Sequence, residues 1–284
     1  MSRERTIEIS ALNIAMHKPH SPQRYVDLFA DARGLEFLVE QGELHGIMLG
    51  PLYGVEDAVS KNELTGEIYR FVKIDSDEPW FNVETRQQAT DKETEGINIP
   101  PHLLAHMQHI QFVFYPKEHQ LWFICKDRKD RLAPNAAERF FETLFTHVAS
   151  LKGYPEVAVT ALPDAAALEE MLSIHRLGKI VMHFKRPNAD DDDDAEVRFM
   201  KRLEDQQIKA VTEELTAEQY ESIIPDETTR REARIASRNG SVTVIGTDAE
   251  GVRVKESTSE KPTRLFRKVN EAVETAMAVL RRTK

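Results

Sequence analysis

The sequence predicts an α+β fold in two lobes, a β-rich domain over residues 1–152 and an alternating strand/helix domain over 153–284. Three observations carry this. The apolar share of 40% is enough to fill a packed core. Two aromatic, β-branched runs flank a short turn near residue 117. Beyond the Gly153-Tyr154-Pro155 break, strand and helix patterns alternate four times, the rhythm of a sheet covered by helices.

Thr6–Met16 alternates apolar and polar residues and predicts a strand. Ser21-Pro22 then reads as an N-cap with proline at the first helical position, opening a helix to about Ala32 with Tyr25, Leu28, Phe29 and Ala32 on one face. Leu44–Val55 holds three glycines and a proline and predicts a strand with bends. Gly66–Asp75 is a further strand, Trp80–Val83 starts another, and the polar stretch Thr85–Ile99 reads as loop. His106–Tyr115 and Gln120–Lys126, joined by Pro116–His119, form the clearest hairpin. Phe140, Phe141, Leu144, Phe145 and Val148 then mark the buried stripe of a helix over Ala133–Leu151.

In the second lobe Glu156–Leu162 predicts a strand, Asp164 caps a helix to about Ser173, and Lys179–Lys185 is a strand stopped by Pro187. A helix is expected over Glu196–Lys209 and a strand over Ala210–Thr216. Pro225-Asp226 opens a helix to Arg238, Ser241–Ile245 pairs with Val252–Lys255, and a last helix runs from Pro262 to near Arg282.

Composition bounds the function. The net charge of −10 excludes a uniformly basic coat protein. It is unevenly spread: residues 190–227 hold fourteen acids and four bases, whereas 228–284 hold seven acids and thirteen bases. Cys125 is the only cysteine, so neither an intramolecular disulfide nor a cysteine-based metal centre can form, and a reducing, cytoplasmic setting is expected. No apolar run reaches the roughly 18 residues that span a bilayer, and the N-terminus lacks the apolar core of a secretory signal.

Catalytic signals are faint. Asp190–Asp194 offers five consecutive carboxylates, but metal sites need ligands converging from separate backbone points, so the run reads as a solvated loop. His102, His106 and His109 would share one face only if that stretch were helical, where they could bind zinc; otherwise they are the polar edge of a hairpin. Cys125 lies inside a hydrophobic strand and reads as a small hydrophobe. No nucleophile elbow and no glycine-rich phosphate loop occurs. No catalytic residue, metal or cofactor is assigned.

The basic residues say more. Arg230, Arg234 and Arg238 fall at i, i+4 and i+8 of the expected helix with Arg231 beside them. Lys261, Arg264, Arg267 and Lys268 recur at the start of the expected last helix, and Lys179, Lys185 and Arg186 border a strand. Such a set can neutralise phosphates without reading bases. The competing readings are an ordinary solvated helix face, or intramolecular pairing with the acidic segment 190–227.

Several blocks resemble a bacterial and prophage family of unknown function along nearly the whole chain. They are Phe114-Tyr115-Pro116 with His119-Gln120-Leu121-Trp122-Phe123, Leu132-Ala133-Pro134-Asn135, His183-Phe184-Lys185-Arg186-Pro187-Asn188, Ile224-Pro225-Asp226-Glu227 and Ala236-Ser237-Arg238-Asn239-Gly240. More loosely, the layout is similar to the phage lambda exclusion protein RexA, with a strand-rich first part and a terminal basic helix. That resemblance implies a dimeric, sequence-nonspecific double-stranded DNA-binding protein of phage exclusion or antiphage defence, signalling to a separate membrane effector and carrying no catalytic residues. Two other classes stay open: a metal-dependent nuclease using carboxylates from 190–227 or the His102–His109 group, and a scaffold whose acidic segment meets a basic partner.

Overall fold

A computed structural model describes residues 4–17, 19–74, 78–100, 102–185, 202, 205–206, 208–271 and 273–283. Arg186, the run Asp190–Asp194 and most of the helix expected over Glu196–Lys209 lie outside the described residues.

The fold is α+β. It begins with β1 (Glu4–Met16), α1 (Pro22–Gly34), β2 (Val39–Gln41), β3 (His45–Tyr53), α2 (Ala58–Lys61) and β4 (Leu64–Val72). A polar excursion holds β5 (Phe81–Asn82), β6 (Gln87–Gln88) and the single-turn α3 (Asp91–Thr94), set off by a Thr90–Glu93 capping box where loop alone was expected. Then come β7 (Ala105–Tyr115), β8 (Gln120–Asp127), β9 (Asp130–Arg131), α4 (Pro134–Lys152) and β10 (Val157–Ala161). The rest is α5 (Ala165–Met171), β11 (Arg176–Lys185), β12 (Ala210–Thr216), α6 (Glu227–Arg238), β13 (Gly240–Thr247), β14 (Arg253–Ser257), β15 (Leu265–Asn270) and α7 (Ala276–Arg281).

Among the described residues, the larger sheet has nine strands, in the order β10-β1-β8-β7-β4-β3-β2, with β9 on β8 and β15 on β1. All its pairings are antiparallel. β1 is long enough to take two partners end to end on one edge: β10 pairs Leu12–Met16 and β15 pairs Glu4–Ile9. Two strands C-terminal to Gly153 thus complete the sheet that β1 begins.

One face of this sheet carries Leu12, Ile14, Ile68, Phe112, Phe114 and Phe123 against the stripes of α1 and α4. Phe29 of α1 lies 4.8 Å from Phe114 and 5.0 Å from Phe145, so sheet and both helices share one aromatic core. Local chemistry starts and stops these helices as expected. The Ser21 hydroxyl accepts from the Arg24 N–H at 3.3 Å, and Gly153 ends α4 with φ 73°. The opposite face carries Ile7, Ile9, Val113, Ile124 and Val269, covered by Ala276, Val279 and Leu280 of α7.

Residues 262–282 depart from expectation. In place of one basic helix, 265–270 forms β15 and only 276–281 is helical. The open backbone edge of β1 replaces the hydrogen bonds a helix would make within itself, and as a strand the segment also buries Val269 fully beside Ile7 and Ile9. Packing here overrides local helix propensity.

The smaller sheet runs β12-β11-β13-β14, all antiparallel. Leu177, Ile180, Met182, Phe184, Val242 and Val244 fill its covered face under α5 and α6. Asn13 joins the sheets, its side-chain amide donating to Asn239 Oδ1 at 3.1 Å and to the Arg238 carbonyl at 3.3 Å.

Candidate nucleic-acid interface

Strand alternation decides which cations share a surface. On β11 the even-numbered Ile180, Met182 and Phe184 point into the covered core, so Lys179, Val181, His183 and Lys185 point to the other face. Register then selects their neighbours. Lys179 pairs with Ile245, which pairs with Lys255; Arg176 pairs with Thr247, which pairs with Arg253. Arg176, Lys179, His183, Lys185, Arg253 and Lys255 therefore lie on one open face among Thr212, Thr216, Ser241, Thr243 and Ser257. Strands about 4.8 Å apart set β11 and β14 about 10 Å from each other, and Lys179 to Lys185 spans about 20 Å along β11.

The electrostatics of this face divide it in two. Lys179 Nζ lies 2.5 Å from Glu214 Oε1, and this hydrogen bond and charge hold the Glu214 carboxyl below its ordinary range. Lys185 Nζ reaches Glu142 of α4 at 3.4 Å. Arg176, Arg253 and Lys255 have no ion-pair partner among the described residues and are exposed. Toward Lys185 the face opens into a cleft of about 500 Å3, lined by His17, Glu142, Glu156, His183, Lys185 and Lys209, where Lys209 pairs with Glu156 at 2.8 Å. His183 Nδ1 sits 3.0 Å from the Thr212 hydroxyl.

The basic residues expected on helix 226–238 and over 261–268 do not join this surface, and Arg186 lies outside the described residues. α6 covers the opposite face of the smaller sheet. Its Arg230 and Arg234 both reach Glu169 of α5, at 2.6 and 3.2 Å, so the arginine stripe is partly neutralised from within. Arg231 and Arg238 are exposed on the same helix. Lys261 pairs with Glu256 at 2.8 Å, Arg264 with Glu8 at 3.2 Å and Lys268 with Glu4 at 3.8 Å. Arg264 precedes β15, while Arg267 and Lys268 lie on it, at the edge of the larger sheet and not on a helix. Among the described residues intramolecular pairing is thus widespread, and the acids that meet these cations are Glu4, Glu8, Glu142, Glu169, Glu214 and Glu256. Arg176, Arg253 and Lys255 were missed because no cluster marks them in sequence. Their only trace is strand alternation, as in Arg253-Val254-Lys255.

The expected alternatives also meet the geometry. His106 and His109 lie on strand β7 and not on a helix, with an irregular register and φ 53° at His106, which removes the helical zinc face. His109 Nε2 instead lies 3.0 Å from Glu67 Oε2. Among the described residues no group of three or more His, Cys, Asp or Glu side chains converges as a metal would need. Cys125 is buried, donates to the Glu8 carbonyl at 3.3 Å, and its thiol is pushed up to about 12 chiefly by burial, which suits a packing residue and not a nucleophile. No helix among the described residues is long and apolar enough to cross a membrane.

No curated protein matches the sequence. A family model does, over residues 5–284, and its extent spans both sheets and every element described above. The chain therefore belongs to the family defined as the domain of unknown function DUF4747.

Proposed function

We propose that this protein binds double-stranded DNA without sequence preference, gripping the phosphate backbone on the open face of its smaller sheet and catalysing nothing itself. The observation that carries the reading is the set Arg176, Arg253 and Lys255, cations without acid partners that share a face with Lys179 and Lys185. Phosphate neutralisation needs charge and reach, not base-edge geometry, and the hydroxyls between the cations add donors. A role in phage exclusion, as a homodimer working with a separate membrane effector, rests on the looser likeness of layout to RexA. The terminal basic helix that formed part of that likeness is not what the chain builds.

Fluorescence anisotropy with duplexes of unrelated sequence tests the reading. Five phosphate contacts predict affinity falling with a log–log salt slope of about −4 to −5. Arg253→Glu with Lys255→Glu is expected to weaken binding at least about tenfold and flatten that slope, two charge-assisted contacts being lost. Arg230→Gln with Arg234→Gln is expected to change it little. Absence of binding at low salt, or equal binding by the Arg253/Lys255 variant, overturns the proposal.

A further inference from the structure

A second cationic site lies on the larger sheet, away from the open face of the smaller one. β9 closes a tight hairpin on β8, and its register places Lys126 directly opposite Arg131. Like charges in direct cross-strand apposition repel. Neither side chain has an ion-pair partner among the described residues, in a chain whose other basic residues are widely paired.

The two cations border a cavity of about 230 Å3 whose other walls include Arg264, Glu8, Ala133 and Pro134. Arg264 brings a third positive charge, shared with the nearly buried Glu8 carboxylate at 3.2 Å. Ala133 and Pro134 are the N-terminus of α4, a helix of 19 residues. Its N-cap, Ala133, offers no side-chain acceptor, and no acid stands in its first turn. Most helices place Ser, Thr, Asp or Asn there, because the first N–H groups and the positive end of the helix dipole call for an acceptor. The repelling cation pair, the cavity and the uncapped helix end meet at one place.

We infer that this cavity binds a dianionic phosphate group, as inorganic phosphate or the phosphate of a small phosphomonoester. A dianion matches the two unpaired cations and leaves Arg264 on Glu8. Arg131 can offer two parallel N–H donors to phosphate oxygens and Lys126 supplies a point charge; the end of α4 adds only the positive field of its dipole, since Pro134 has no N–H and the Ala136 and Ala137 N–H groups donate to the Ala133 carbonyl at 2.9 Å. The inference is independent of DNA binding by the smaller sheet.

Thermal unfolding and 31P NMR titration of the full chain with inorganic phosphate, against chloride at matched ionic strength, test it. Phosphate is expected to raise the melting temperature of the wild type and to give a saturable 31P shift. Arg131→Gln and Lys126→Gln are each expected to weaken phosphate at least about tenfold, while in chloride they are as stable as the wild type, since removing either charge relieves the repulsion. Circular dichroism checks that both variants fold, and both residues are exposed. A phosphate shift equal in wild type and variants, or no shift at all, overturns the inference. A stabilisation given by a short duplex and abolished by Arg131→Gln, with none from inorganic phosphate, assigns the cations to nucleic acid and overturns the small-phosphate assignment.

Discussion

Glu67 shows how single side chains set local proton chemistry. Burial pushes its carboxyl up, but the Tyr69 hydroxyl donates to it at 2.6 Å and the Tyr53 hydroxyl at 3.0 Å, with His109 alongside, and together they hold it below its ordinary range. The reciprocal effect falls on Tyr69, pushed up to about 12 by that hydrogen bond. The folded chain thus holds the Tyr69 proton more tightly than the unfolded chain does. Its contribution to stability is complete below pH 10 and is lost as pH rises from 10 to about 12. An alkaline titration followed at 295 nm is expected to show Tyr69 among the last tyrosines to ionise, a late step that Tyr69→Phe removes. If Tyr69→Phe leaves the high-pH limb unchanged, the hydrogen bond to Glu67 does not control this proton.

At the scale of elements, β15 gives the sharpest contrast between local and long-range forces. Leu265–Asn270 reads locally as the basic first turns of a helix, yet it lies antiparallel along Glu4–Ile9 of β1. Val269→Ala separates the two. Alanine favours a helix, so a helical segment would gain. In the strand the substitution removes two methyl groups from a fully buried site beside Ile7 and Ile9, and is expected to cost about 2 kcal/mol, seen as a lower urea midpoint with an unchanged m-value. The contrasting case is α4. Its stripe of Phe140, Phe141, Leu144, Phe145 and Val148 was legible from spacing alone and is fully buried as that spacing requires. Spacing sufficed there because helix periodicity and burial coincide within 19 residues. β15 could not be read this way, because its partner lies some 260 residues away.

At the scale of the molecule, salt bridges across the cleft restrain the proposed DNA-binding face. Lys185 is held by Glu142 and Lys209 by Glu156, both acids belonging to the α4–β10 side of the cleft. These pairs are exposed and screened by solvent, so each is worth little. Glu142→Gln with Glu156→Gln is therefore expected to raise duplex affinity by only about two- to tenfold, with a steeper salt slope, in the anisotropy assay. Weaker binding by this variant would mean that the cleft does not face the nucleic acid. The net charge of −10 repels nucleic acid at long range, but under salt screening the placement of unpaired cations decides the interaction at contact.

The sequence alone determined where most of the longer helices and strands lie, the hairpin at Pro116–His119 and the stripes that build the core, but not the short elements β2, α2, β6, α3 and β9, nor β15. Those signals are local: caps, breakers and the periods of 3.6 and 2 are written within a few residues. Tertiary structure alone decided which cations stand together. Arg230, Arg234 and Glu169 meet across about sixty residues, and Arg176, Lys179, Arg253 and Lys255 come to share a face only through the register of three strands. A one-residue change of register would send each of those side chains to the opposite face. Ion pairing and cross-strand register depend on distance in space, and no local pattern in the chain encodes that.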